Sequence, residues 1–295
     1  MTTREYGVKP PGYRLPEETR LGAVSLLVSD LARSIGYYEQ TLGMQVLARR
    51  DGFAALGPRD ARNVIVELHA TPGVRPAAPM ATLGLYHFAI VLPDRPSLGR
   101  FVKHVAAIGV RAGMADHLVS EAIYLTDPDG LGIEVYADRP RSTWQVNGRE
   151  LAMTTEPLDA ADLAAAAGGA AWLGMPAGTV LGHVHLHVGS LDAAAAFYHA
   201  ALGFDKVVWS YPGALFMSAG GYHHHLGTNT WSRGLVPSAD QARLLTWDIV
   251  LPSRDHAADA AKSLVSAGLR VEEAGGAWTA ADPWGTTLRL VWPKL

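Results

Sequence analysis

The chain repeats one pattern four times, and that repetition constrains its fold more than any single motif. LGAVSLLVSDLARSIGYYEQTLGM, 21–44, lies over LGHVHLHVGSLDAAAAFYHAALGF, 181–204. Leu21, Val24, Leu26, Val28, Tyr38 and Gly43 match Leu181, Val184, Leu186, Val188, Tyr198 and Gly203. Each copy opens with alternating residues, the period of a strand, and continues into a helical stretch that a glycine ends. A second pair, LYHFAIVLPDR (85–95) and LLTWDIVLPSR (244–254), leads into helical stretches ending at Gly109 and Gly268. These close with the turns Asp127-Pro128-Asp129-Gly130 and Asp282-Pro283-Trp284-Gly285, then apolar strands at 131–136 and 286–292. Four units of strand, helix and three strands result, near 21–70, 83–137, 181–229 and 243–292. The fold class is α+β, made of duplicated supersecondary units; the copies are too few and too long for a solenoid.

In chain order this gives an N-terminal arm (1–20), a first domain of two units (21–137), a linker (138–180) and a second domain of two units (181–295). A short helix is expected in the linker after Asp159. One strand stands apart. His183, His185 and His187 alternate with Val184, Leu186 and Val188, so three imidazoles share one face. A purely apolar core gains nothing from them. Another run, Tyr222-His223-His224-His225, follows in the same unit.

The net charge is −3 and there is no basic run, which makes nucleic acid and anionic membrane poor partners. There is no cysteine, so disulfides, thiolate metal sites and cysteine nucleophiles are excluded. No apolar stretch reaches membrane-spanning length, and the first twenty residues hold no secretory apolar core. A cytoplasmic location is the expectation.

The βαβββ unit, the DL…YY…LG opening and the DPDGxxIE closing resemble the vicinal oxygen chelate superfamily, which includes glyoxalase I, extradiol dioxygenases and bleomycin-resistance proteins. IEVYADRPRSTW and SAGGYHHH resemble its Bacillus-type catechol 2,3-dioxygenase subfamily more closely. The resemblance covers nearly the whole chain. It implies that units join in pairs into cupped, eight-stranded half-barrels, with a metal held in the cup by the first and last strands.

By that resemblance each unit offers two ligand positions. They are Ala23 and Glu67 in the first unit, His87 and Glu134 in the second, His183 and His225 in the third, and Thr246 and Arg289 in the fourth. Alanine binds no metal and a guanidinium repels one. The metal set is therefore His87, Glu134, His183 and His225, and it is complete only if the second unit pairs with the third across the linker. Glu134, between Ile133 and Val135, would be costly to bury without a cation. His225 reads either as a ligand or as an acid/base near the metal, and a slip of one residue would put His224 in its place. Two histidines and one carboxylate suit Fe(II) first, with Mn(II) or Zn(II) also compatible.

The run DHLVSEAIYLTDPDGLGIE, 116–134, resembles the extradiol pattern. Carried over, His117 is a catalytic acid/base and Tyr124 contacts substrate oxygen; otherwise His117 is a polar residue ending an outer strand. The expected activity is extradiol ring cleavage of a catechol-type aromatic diol with O2. Tyr211, Phe216, Tyr222, Trp231 and Trp144 are candidates to wall the aromatic substrate. Two alternatives stay open: a glyoxalase-like metal-dependent isomerase or lyase, and a non-catalytic aromatic-ligand binding protein. A homodimer is compatible with the sequence.

Overall fold

The computed structural model describes residues 6–78 and 80–293; the first five residues of the expected arm lie outside it. Unit one comprises β1 (Arg20–Val28), α1 (Leu31–Gln40), β2 (Gln45–Arg50), β3 (Phe53–Gly57) and β4 (Val66–Ala70). Unit two comprises β5 (Gly84–Val91), α2 (Arg95–Ala107), β6 (Gly113–Asp116), β7 (Ser120–Thr126) and β8 (Gly132–Asp138). The linker carries a small hairpin, β9 (Val146–Asn147) and β10 (Glu150–Leu151), then α3 (Ala160–Ala166), which Asp159 caps. Unit three has β11 (Val180–His187), α4 (Leu191–Ala194) running on as a π-helix over Ala195–Ala201, β12 (Asp205–Val208), β13 (Ala214–Ser218) and β14 (Leu226–Asn229). Unit four has β15 (Arg243–Val250), α5 (Arg254–Ser266), β16 (Val271–Ala274), β17 (Ala277–Ala281) and β18 (Thr287–Val291).

Local chemistry sets these boundaries alike in every unit. Asp30, Asp94, Ser190 and Ser253 each accept a hydrogen bond from the backbone N–H three residues on, so each unit's helix starts with the same cap. The closing turns use one carboxylate each. Asp127 Oδ1 accepts from the N–H of Asp129 and Leu131, and Asp282 Oδ1 from the N–H of Trp284 and Thr286. Their other oxygens accept from Tyr38 and Tyr198, the tyrosines of the repeated opening motif. The opening motif of one unit is thus tied to the closing turn of the next.

Two eight-stranded sheets form, ordered β16-β17-β18-β15-β1-β4-β3-β2 and β12-β13-β14-β11-β5-β8-β7-β6. The second unit pairs with the third through antiparallel β5 and β11, and the first with the fourth through β1 and β15, all within one chain. Each half of the chain, 21–137 and 181–295, gives one unit to each sheet. Alternation then sorts the side chains. Val24, Leu26, Phe88, Ile90, Val184, Leu186, Trp247 and Ile249 enter one continuous core with residues of the helices. His87, His183, His185 and His187 take the opposite face. No helix among the described residues is long and apolar enough to cross a membrane.

Candidate metal centre and its cavity

β5 and β11 bring His87 and His183 together, and β8, parallel to β5, brings Glu134 beside them. Glu134 Oε2 is 3.1 Å from His87 Nε2 and 3.2 Å from His183 Nε2. One donor atom from each lies within 4.8 Å of the other two, the one such group among the described residues. All three side chains are buried. Donors placed about 2.1 Å from one ion at right angles lie about 3.0 Å apart, so the spacing suits a shared cation. His87 Nε2 has no hydrogen-bond partner, although it is close to the carboxylate, and a cation there would supply one. His183 Nδ1 is also unpartnered, and a metal on Nε2 would not change that.

Electrostatics agree with the geometry. Burial pushes the Glu134 carboxyl up, but His183 and His87 outweigh it and hold the group well below the usual range. Burial pushes His183 down to about 4, against the pull of Glu134. At neutral pH Glu134 is a carboxylate facing a neutral His183, the protonation states a divalent ion requires of them.

Of the expected metal ligands, His225 does not join the other three. The parallel registers give the reason. Glu134 on β8 sits opposite Ala89 of β5; the corresponding pair in unit three is Gly227 opposite His185. The fourth ligand position is therefore a glycine, and a Cβ there would lie 2.9 Å from the His185 ring. His225 precedes β14 by one residue. Its Nδ1 accepts from the Ala219 N–H at 3.2 Å, and its ring stacks on Phe204, 6.3 Å between centroids. The matching positions of the other sheet hold Ala23, Glu67, Thr246 and Arg289. There Arg289 donates to both oxygens of Asp248 and lies 3.8 Å from Glu67, so a guanidinium fills that cup.

The three candidate ligands open onto a cavity of about 320 Å³. His117 and Tyr124 line it too. Tyr124 pairs directly with Glu134 between β7 and β8, and its hydroxyl lies 2.6 Å from His117 Nε2. His117 Nδ1 is 2.6 Å from the Thr154 carbonyl, which can only accept, so Nδ1 carries the proton. With its ring hydrogen on Nδ1, His117 accepts the Tyr124 O–H through Nε2. Burial, reinforced by Glu134, pushes the Tyr124 phenol well above its ordinary value.

Three further residues reach the cavity. The His224 ring packs against His183 at a tilt of 44°, 4.0 Å between centroids, and burial keeps it neutral by lowering its pKa well below 6.5. The triple histidine signalled that one of them would face inward. Tyr86 and His185 also line the wall. Nothing in the sequence marked Thr154, which comes from the linker. Among the expected aromatics, Tyr211, Phe216 and Trp231 line the cavity, whereas Tyr222 and Trp144 do not. Tyr222 hydrogen-bonds Asp138 and Tyr136, and the Trp144 indole donates to the Arg139 carbonyl.

Residues 20–135 and 180–290 match the family described as the Glyoxalase/Bleomycin resistance protein/Dioxygenase superfamily. The chain belongs to this superfamily. It is 42% identical over 273 residues to the catechol-2,3-dioxygenase of Bacillus subtilis (strain 168), spanning 90% of this chain and 95% of that one. The fold resembles the crystal structure of a putative dioxygenase from Bacillus subtilis, with a TM-score of 0.66 at 11% identity over 95% of this chain and 86% of that one. It also resembles glyoxalase I from Zea mays, with a TM-score of 0.56 at 20% identity over 93% and 92%. These last two likenesses concern the fold alone. For a superfamily member with this His/Glu/His cluster, a bound metal ion fits the donor set.

Proposed function

We propose that this chain is an extradiol ring-cleaving dioxygenase that opens catechol-type diols with O2, using Fe(II) held by His87, Glu134 and His183. The observation that carries the reading is the meeting of two histidines and one carboxylate, on adjacent strands, at the wall of a cavity that also holds a hydrogen-bonded His–Tyr pair. The named relative, 42% identical, supports it. Ring cleavage breaks the carbon–carbon bond beside the two hydroxyls. Both atoms of O2 enter the product, a semialdehyde acid.

Fe(II) held by His87, Glu134 and His183 would stabilise the diol as an anion and supply the chemistry that activates O2. The protein does the rest. Tyr211, Phe216 and Trp231 wall the ring and exclude water. His224 takes a proton from a diol hydroxyl. Tyr124, whose one O–H is donated to His117 Nε2, contacts substrate oxygen by accepting from a diol hydroxyl, and His117, fixed by the Thr154 carbonyl, orients the phenol and takes up its proton. No lysine or arginine lines the cavity among the described residues, which gives an anionic thiol adduct little to bind.

The test is oxygen uptake by protein reconstituted anaerobically with Fe(II), against a panel of substituted catechols. The expected product is yellow and heavier than the diol by two oxygen atoms. A colourless muconate, or no oxygen uptake across the panel, overturns the reading.

A further inference from the structure

We infer that Asp138, at the outer end of β8, fixes the tautomer of His224 inside the cavity by way of His223, leaving His224 Nε2 bare toward the substrate. Asp138 is a positioning residue, and the inference rests on the proposed ring cleavage only for the use made of that nitrogen.

The side-chain order is Asp138, His223, His224. Asp138 Oδ1 lies 2.9 Å from His223 Nε2 and accepts from the Tyr222 hydroxyl at 3.1 Å. A carboxylate has no proton to give, so His223 carries its hydrogen on Nε2. With His223 neutral, that is its one N–H, and Nδ1 is bare. That atom is 2.7 Å from His224 Nδ1. A hydrogen bond between two ring nitrogens contains one proton, and here it belongs to His224. Neutral His224 therefore has a bare Nε2. Among the described residues this atom has no hydrogen-bond partner, and the ring lines the cavity.

The chain of bonds runs from a carboxylate whose side chain is 33% exposed, through a fully buried imidazole, to the cavity wall. It is clamped in place. Tyr222 accepts from the Tyr136 hydroxyl at 2.6 Å while donating to Asp138, and Trp144 packs edge-on against His223. Without the carboxylate, His223 is free to carry its proton on Nδ1. His224 would then accept at Nδ1 and point an N–H at the substrate, a donor where the reaction needs an acceptor.

The test uses the full chain labelled with 15N at histidine. Correlating ring nitrogens with carbon-bound ring protons reports which nitrogen carries hydrogen, with no turnover needed. His224→Gln and His223→Gln assign the signals. Expected in the unmutated protein are Nε2–H for His223 and Nδ1–H for His224. Asp138→Ala should move His224 toward Nε2–H, and Asp138→Glu should restore Nδ1–H. In the iron-loaded enzyme Asp138→Ala should lower kcat about a hundredfold with KM changed less than about threefold, and Asp138→Glu should recover most of it. An Nε2–H tautomer at His224 in the unmutated protein overturns the inference, even if no variant folds. So does an unchanged His224 tautomer in Asp138→Ala. The expected tautomers in a protein that consumes no oxygen with any catechol would uphold this coupling and sink the ring-cleavage reading instead.

Discussion

His183 is the direct cross-strand partner of Ala89, and His87 is that of His185, so His87 and His183 stand diagonally across one antiparallel pair. Their rings lie 5.5 Å apart on the same face. The diagonal follows from duplication. His87 and His183 occupy the same position in two copies of one unit, and the joining of those copies sets equivalent residues two apart in register. Diagonal neighbours stay within reach of long side chains. A parallel strand on one flank then brings Glu134 to both.

His183→Ala should abolish stoichiometric metal binding. One ion per chain is expected in the unmutated protein after anaerobic loading and desalting, and well under a tenth of that in the variant. Arg289→Ala, in the other cup, should leave metal content unchanged. Elemental analysis decides it, and full occupancy in His183→Ala would remove this residue from the ligand set.

Tyr124→Phe and His117→Phe should keep the metal and lose rate. The phenol and imidazole meet at 2.6 Å, so removing either leaves the other without its partner. Each variant should lose about a hundredfold in kcat, and the double variant little more, because the two act as one unit. Rate losses that multiply in the double variant would separate their roles.

The metal-free protein should lose stability as pH falls from about 6.5 toward 4. Burial lowers His183 to about 4 and His225 to about 3, and also lowers His69, His185, His187, His199 and His224. Over this window the unfolded chain, with histidines near 6.5, binds more protons than the native state, so stability rises with pH. Each proton contributes a slope of about 1.4 kcal/mol per pH unit. Asp127, pushed up to about 6, and Asp248 and Asp282 act the other way, but three aspartates oppose seven histidines among the described residues. Urea midpoints at pH 7 and pH 5 measure the balance; equal midpoints would mean the histidines are not held neutral.

Gly182→Ala should destabilise the fold by about 1–3 kcal/mol. A Cβ at 182 would sit 1.8 Å from the Tyr136 hydroxyl and 2.7 Å from its ring. Tyr136→Phe in the same chain removes the nearer clash and keeps the farther, so it should recover only part of the loss. Thermal melts of both variants check it, and wild-type stability in Gly182→Ala would show that the tyrosine moves aside freely.

The sequence by itself determined the repeated unit, its caps and turns, and the faces of its strands. Those features are local. Asp30, Asp94, Ser190 and Ser253 bond within one helical turn of themselves, and period-two alternation assigns His87, His183 and Arg289 to a face whatever lies opposite. The pairing of the second unit with the third also followed from chemistry carried in the residues, since Arg289 cannot share a cup with a metal. Only the tertiary structure decided which residue of unit three stands where Glu134 stands in unit two. That position depends on the register of β14 against β11. The histidine run before β14 offered several candidates, and Gly227, with no side chain to signal it, proved to be the equivalent site. The same holds for Thr154 and Asp138. A linker carbonyl on His117, and a carboxylate reaching His224 through His223, join positions 37 and 86 residues apart. Such distances are closed by packing, and no spacing along the chain records them.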